Sequence, residues 1–228
     1  MSKTGTVARR RRVLLVDDHP IVRQGLRRMI EQEPDLEVCG EAGGPGEASQ
    51  LLRELQPDVV VVDLSLREGD GIEIVKEVRA QYPAIKVLVL SMHDEMIYAE
   101  RLLGAGASGY LMKHAASDQF LVALRRVLAG ATYVSEAVGS RMIQKFATGR
   151  DPGAASPVDA LSNRELQILQ MIGRGLSTRQ MAESLKLSVK TVESHRQRIK
   201  RKLELASGAQ LVQYAVNWVS NPSGPARL

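Results

Sequence analysis

Four β-branched residues in succession, Val59 to Val62, lie between Gln56-Pro57-Asp58 and a turn containing Gly69 and Gly71. A run without polar alternation reads as a strand buried on both faces, which belongs inside a parallel sheet covered by helices. Asp63 follows directly, at the carboxyl edge where open α/β sheets bind their ligands. A carboxylate there is either an N-cap for the next segment or a reacting group. Its neighbours in sequence do not decide between the two.

The rest of the N-terminal half has the same rhythm. Val13 to Val16 is a short apolar strand followed by Asp17-Asp18, and His19-Pro20 opens a helix through Ile21, Val22, Leu26, Met29 and Ile30. Leu36 to Cys39 is a second strand, and Gly43-Gly44-Pro45-Gly46 turns into a helix with Ala48, Leu51, Leu52 and Leu55. After the strand over 58–63, Ile72, Val75 and Val78 mark a helix that stops before Pro83. Ile85 to Leu90 is a fourth strand ending at Ser91, a helix spans Met96 to Leu103, and Ser108 to Met112 is a strand ending at Lys113. Ser117-Asp118 is expected to cap a last helix with Leu121, Leu124, Val127 and Leu128 inward. Five strand–helix units with short connections predict a parallel sheet with helices on both faces.

Beyond Gly130 the pattern changes. Residues 134–147 read as one more helix, and 149–157, rich in Gly, Ala, Ser and Pro, as a linker. Four short helical patterns follow at 163–172, 178–185, 189–204 and 208–220. The expected domains are a basic, flexible tail over 1–12, an α/β domain over 13–131, helix and linker over 132–160, an all-α domain over 161–221, and a tail over 222–228.

Charge divides the same way. Residues 1–12 carry five Lys or Arg and no acid, 13–155 are net acidic by six, and 156–228 carry eleven bases against five acids. An acidic body with a basic C-terminal segment predicts a second domain that meets a polyanion. The single cysteine, Cys39, excludes an intramolecular disulfide, and a reduced, cytosolic protein is the expectation. No apolar run is long enough to span a bilayer, so no membrane partner is expected.

The strand ends converge in chemistry. Asp17 and Asp18, Asp63, Ser91 and Lys113 each stand at the carboxyl edge of a different predicted strand, and in a parallel sheet those edges form one crevice. Singly, each has a commoner explanation as a turn, a cap or a solvated end. Together, three carboxylates need a cation, and hard oxygen ligands suit Mg²⁺, which also pairs with phosphate. A lysine and a hydroxyl beside them are suited to phosphoryl oxygens. The chemistry suggested is phosphoryl transfer to an aspartate.

In pattern and spacing, residues 13–131 resemble the receiver domain of two-component response regulators, a CheY-like, flavodoxin-like doubly wound fold. The resemblance implies Asp63 as phosphoacceptor, with Asp17 or Asp18 and the backbone carbonyl of Ser65 helping Asp63 to hold Mg²⁺. It implies Ser91 as switch hydroxyl, Tyr110 in Gly-Tyr-Leu-Met-Lys as switch aromatic, and Lys113 as phosphate-binding lysine. Arg67 stands where the loop usually has proline, and His114 rather than proline follows Lys113.

Leu161-Ser162-Asn163-Arg164-Glu165 has the form of a capping box. Ser177-Thr178 and Leu187-Ser188 start two further helices across a tight turn, which is helix-turn-helix geometry. At about 100° per residue, Val189, Val192, Ile199 and Leu203 share an inward arc with His195 at its edge. Lys190, Ser194, Gln197 and Arg201 lie opposite, flanked by Glu193 and Arg198, the mixture a major-groove reader needs.

Residues 161–205 resemble the LuxR-type helix-turn-helix of NarL/FixJ response regulators, on Gly-Leu-Ser-Thr-Arg-Gln-Met-Ala, Leu-Ser-Val-Lys-Thr-Val-Glu-Ser-His and Arg-Lys-Leu. The resemblance implies a recognition helix at 189–203, with Glu193, Ser194 and Gln197 at base edges. Lys190, Thr191, Arg198 and Lys200 are expected on phosphates. Lys186 replaces a glycine frequent in the turn, and Leu211, Val212, Ala215, Val216 and Trp218 are read partly as core and partly as a dimer contact.

The expected function is a DNA-binding response regulator in which a histidine kinase phosphorylates Asp63 to control dimerisation and transcription. It is not an enzyme, beyond assisting its own phosphotransfer and dephosphorylation. The partners implied are double-stranded DNA, a sensor histidine kinase, a second copy of the chain and, less directly, RNA polymerase. A constitutive regulator is disfavoured by the complete set of Asp17, Asp18, Asp63, Ser91 and Lys113. A phosphotransferase or phosphatase is disfavoured because position 65 is Ser, not an acid–base carboxylate.

Overall fold

The computed structural model describes residues 9–66, 70–147 and 157–220. The chain divides into two compact units, Met1–Gln144 and Lys145–Leu228.

In the first unit, β1 (Arg11–Val16), α1 (Pro20–Glu31), β2 (Leu36–Ala42), α2 (Pro45–Leu55), β3 (Val59–Val62), α3 (Gly71–Gln81), β4 (Lys86–Ser91), α4 (Glu95–Ala105), β5 (Gly109–Met112) and α5 (Ala116–Leu128) alternate along the chain. The strands are parallel in the order β2-β1-β3-β4-β5. The order reverses between β1 and β3, the switch point at which open α/β sheets bind their ligands. The valines of β3 are 0–2% exposed. Side chains alternate across the sheet. Val13, Leu15, Val59, Val61, Leu88, Leu90 and Leu111 pack with Leu26 and Ile30 of α1 and with Phe120, Leu124 and Val127 of α5.

Three boundaries differ from the sequence reading. β1 begins at Arg11, and Arg10 and Arg11 pair with Glu37 and Asp58 at 3.0 Å, so Arg11 and Arg12 belong to the sheet rather than to a tail. Ser117 does not cap α5. A 3₁₀ turn over Lys113–Ala115 runs straight into the helix, whose N-cap is Ala115, and Ser117 and Asp118 fall inside the first turn. α6 spans Glu136–Ala147, so Val134 and Ser135 of the expected helix lie outside it. Tyr133 pairs with Gly109 as a parallel bridge, donating to Ser108 O at 3.1 Å and accepting from Tyr110 N at 2.8 Å. Arg141 of α6 donates to Met96 O in the first turn of α4 at 2.8 Å.

The second unit holds α7 (Asn163–Gly173), α8 (Thr178–Ser184), α9 (Val189–Lys202) and α10 (Gly208–Ser220). Its core is Leu161, Leu166, Leu169, Ile172, Met181, Val192, Ile199, Leu211, Ala215 and Trp218. Both expected starts are satisfied, with reciprocal capping boxes at Ser162/Glu165 and Ser177/Gln180, and Ser188 caps α9. Glu165 is 3% exposed and also meets Lys202 Nζ at 2.6 Å. Gly173 lets α7 lie against α10, since a Cβ there would stand 2.4 Å from the Ala215 carbonyl. Lys186, in the turn between α8 and α9, takes the left-handed conformation at φ 53°, which the glycine it replaces adopts without strain. Residues 149–156 of the expected linker, the turn residue Arg67 and the two chain ends lie outside the described residues, and Pro157 opens a 3₁₀ turn over Pro157–Ala160.

Candidate functional site

The carboxyl ends of β1 and β3 are adjacent in register, Val16 beside Val62, so the residues that follow them come together. Asp17 N donates to Ala42 O at 3.1 Å and Asp63 N to Val16 O at 2.8 Å, which fixes both backbones at the sheet edge. Asp17 and Asp63 are 2% and 3% exposed. Lys113, reaching from the end of β5, places Nζ 2.6 Å from Asp17 Oδ2 and 2.8 Å from Asp63 Oδ2.

Burial pushes the Asp63 carboxyl above the usual carboxylate range, with Lys113 pulling it back down. Burial also disfavours the Lys113 ammonium, but Asp63 and Asp17 outweigh that and hold it above its ordinary value. The lysine therefore stays charged and compensates two carboxylates that would otherwise repel in a low-dielectric site.

Asp17, Asp18, His19 and Asp63 offer ligand atoms that all lie within 4.8 Å of one another. Three of the four are carboxylates, a donor set that fits a hard divalent cation such as Mg²⁺. Ser65 stands two residues beyond Asp63. Its N–H donates to Asp63 Oδ1 at 3.2 Å.

Gly71 is required by this arrangement. A Cβ there would stand 2.2 Å from the Asp63 carbonyl oxygen, so α3 approaches the loop after β3 only through a glycine. Asp70 caps that helix by accepting from Ile72 N at 3.1 Å.

Ser91, fully buried, accepts from His93 N at 3.1 Å. Tyr110, 1% exposed, donates to His93 O at 2.8 Å, and burial raises the phenol well above its ordinary value. His93 itself stacks on Tyr98 at 4.8 Å and meets Ser65 Oγ through Nε2 at 2.8 Å. It thereby joins the loop after β3 to the loop after β4. His93 and His19 are site residues that the sequence reading did not assign. His19 touches Asp17 Oδ1 with its backbone N–H at 2.8 Å and stands 2.7 Å from Asp18 Oδ1 through Nδ1. The available signals were position alone: His19 follows the acid pair, and His93 stands two residues past Ser91 as Ser65 stands two past Asp63.

In the second unit α9 presents Lys190, Glu193, Ser194, Gln197, Arg198 and Arg201 to solvent, with Thr191 and Lys200 half-buried. Val192, Ile199 and Leu203 face the core as expected. Val189 does not. It is 49% exposed because it is the first helical residue, ahead of the first buried position at Val192. On α10, Leu211, Tyr214, Ala215 and Trp218 are buried, while Val212 and Val216 remain 42% and 43% exposed. Among the described residues no helix is long and apolar enough to cross a membrane.

Known proteins carry the same two parts. Residues 13–125 match the response regulator receiver domain, and residues 159–215 match the bacterial regulatory proteins of the luxR family. The oxygen regulatory protein NreC of Staphylococcus haemolyticus is 37% identical over 209 residues, covering 90% of this chain and 96% of its own. Among solved structures, the RcsB response regulator of Salmonella typhimurium aligns at 26% identity with a TM-score of 0.59, over 91% of this chain and 98% of its own. RcsB from Salmonella enterica serovar Typhimurium, bound to promoter rprA in the presence of the phosphomimetic BeF3−, aligns at 27% identity with a TM-score of 0.56, over 91% and 98%. The chain therefore belongs to the NarL/FixJ-type two-component response regulators, a receiver domain joined to a LuxR-type DNA-binding domain.

Proposed function

We propose that Asp63 is the phosphoacceptor and that its phosphorylation controls dimerisation and DNA binding by the C-terminal helices. The donor is a phosphohistidine on a sensor kinase. An Asp63 carboxylate oxygen attacks phosphorus, the P–N bond breaks, and the departing imidazole nitrogen keeps the electron pair and takes a proton. Mg²⁺ would be held by Asp17, Asp18, Asp63 and the Ser65 carbonyl, and when bound it supplies positive charge against the phosphoryl oxygens.

The chain's own residues do the rest. Lys113 transfers its ammonium from the carboxylate pair to a phosphoryl oxygen, and Ser91 offers its hydroxyl hydrogen to another. Tyr110 follows the loop that Ser91 draws in, because its phenol is tied to His93, two residues on. The same site admits the water that later hydrolyses the acyl phosphate, so the receiver assists its own dephosphorylation and performs no other chemistry. Phosphorylation shifts the population between forms that bind DNA weakly and tightly. On DNA, α9 reads the major groove, with Lys190, Thr191, Arg198 and Lys200 on phosphates and Glu193, Ser194 and Gln197 at base edges. Arg201 adds charge on the same face, and Val212 and Val216 of α10 provide an apolar contact for a second copy.

The observation that supports this reading is Lys113 Nζ, reaching from the end of β5, bridging Asp17 and Asp63 at the ends of β1 and β3 at 2.6 and 2.8 Å. The test is acetyl phosphate with Mg²⁺. The wild type is expected to gain the mass of one phosphoryl group and bind DNA more tightly. A comparable gain in DNA affinity by Asp63→Asn would refute the mechanism.

A further inference from the structure

Recognition helix α9 contains six Lys or Arg and one acid, Glu193. An anionic side chain on a surface that meets phosphates lowers affinity, so its presence there calls for another role. The carboxylate is also not loose. Thr178 Oγ1, at the first position of α8, donates to Glu193 Oε1 at 2.8 Å. Arg196 Nη1 donates to the same Thr178 oxygen at 3.3 Å, and Arg196 Nε stands 3.7 Å from Glu193 Oε1. The three side chains form a closed triangle across the helix-turn-helix. Arg196 is 20% exposed in its side chain and Glu193 48%, so the clamp lies on the inner side and the carboxylate at the rim. Both contacts fall on Oε1, which leaves Oε2 as an acceptor held in a fixed direction.

A fixed acceptor discriminates between base pairs. In the major groove guanine offers N7 and O6 and thymine offers O4, all acceptors that repel a carboxylate. Cytosine offers the N4 amino group. Adenine offers its N6 amino group beside N7, and that second acceptor counts against it. Resting on the DNA-reading function proposed above, we infer that Glu193 selects cytosine at one position of each half-site, with Thr178 and Arg196 as the positioning residues that aim it. A well-made base contact carries about 5- to 150-fold discrimination.

The test is selection from a random double-stranded DNA pool by full-length protein treated with acetyl phosphate and Mg²⁺, followed by sequencing. The readout is the ratio of competing bases at each enriched position, which does not depend on how much of a variant is folded. Wild type is expected to enrich cytosine at one position per half-site. Glu193→Gln is expected to move that position toward adenine, since an amide pairs with N6 and N7 together. Thr178→Val is expected to flatten the preference there several-fold, and Thr178→Ser, which restores the hydroxyl, to recover it. If Glu193→Gln and Thr178→Val both return the wild-type base ratios at every position, the triangle is a helix staple and the proposal is overturned, while the DNA-reading function stands. If wild type enriches no motif, sequence-specific reading fails and takes this proposal with it.

Discussion

Replacing Lys113 by methionine tests the electrostatics of the receiver site. The variant keeps the hydrocarbon stem and removes the ammonium, which lies 2.6 Å from Asp17 and 2.8 Å from Asp63. The two carboxylates are 3% and 2% exposed in their side chains, and the lysine 11%. Removing one partner of a buried ion pair costs about 3–5 kcal/mol. Water can enter beside a lysine that is not wholly buried, so the low end, about 3 kcal/mol, is expected without metal. For a domain of this size that lowers the receiver's midpoint by roughly 10 °C. Circular dichroism melts in EDTA measure it directly. Mg²⁺ should raise the variant's midpoint by more than the wild type's, because a cation that binds only the folded state stabilises most where the carboxylates lack compensation. Acidification should narrow the gap. Burial already raises the Asp63 carboxyl and Lys113 opposes it, so losing the lysine raises it further. The folded variant then takes up a proton more readily than its unfolded chain and gains stability as pH falls through that raised value. On the alkaline side, the wild type keeps the lysine's contribution until pH climbs through its raised ammonium value. A variant melting within about 2 °C of wild type in EDTA, or equal Mg²⁺ shifts in both, would refute the reasoning.

Four further outcomes are expected. Gly71→Ala places a Cβ 2.2 Å from the Asp63 carbonyl, so it should cost about 2 kcal/mol and slow phosphorylation by acetyl phosphate, read by intact mass. Gly173→Ala meets the Ala215 carbonyl at 2.4 Å and should destabilise the helical unit by about 1–3 kcal/mol, leaving receiver phosphorylation intact. Glu165→Ala removes a capping-box member paired with a partly exposed Lys202, at about 1–2 kcal/mol near pH 7 in thermal melts. Burial raises the Glu165 carboxyl, but Lys202 and the Ser162 N–H hold it below the usual range overall, so its contribution is present above the unfolded glutamate value and fades as pH falls through the depressed one. Arg198→Ala should weaken binding to all DNA sequences alike and reduce the salt slope by about one.

Much of the fold is legible because the sheet is parallel and buried. Runs such as Val59 to Val62 and Ile85 to Leu90 have no other good home, and the strand ends carry the polar residues that the switch point gathers. What escaped depends on contacts distant in sequence or on single residues. Tyr133 stands alone, without the alternation that marks a strand, and only the exposed side of β5 gives it a partner. Ser117 has the chemistry of a cap, but the helix starts one turn earlier through the 3₁₀ turn at Lys113. Val189 has the right angular phase and the wrong axial position. His93 becomes part of the site only when the loops after β3 and β4 are side by side, and Thr178 meets Glu193 only once the helix-turn-helix has closed.

The pairing of Tyr133 with β5 also closes part of the outer edge of the sheet. The outer side of an edge strand is an open row of backbone donors and acceptors, ready to template another chain. Tyr133 satisfies Ser108 O and Tyr110 N on that side, so the segment leaving the receiver doubles as its edge guard. A receiver ended at residue 131 would keep Asp17, Asp63, Ser91 and Lys113 and lose that guard. It would retain its chemistry while gaining a sticky margin, and the self-association seen in such a fragment would report a missing strand rather than a signal.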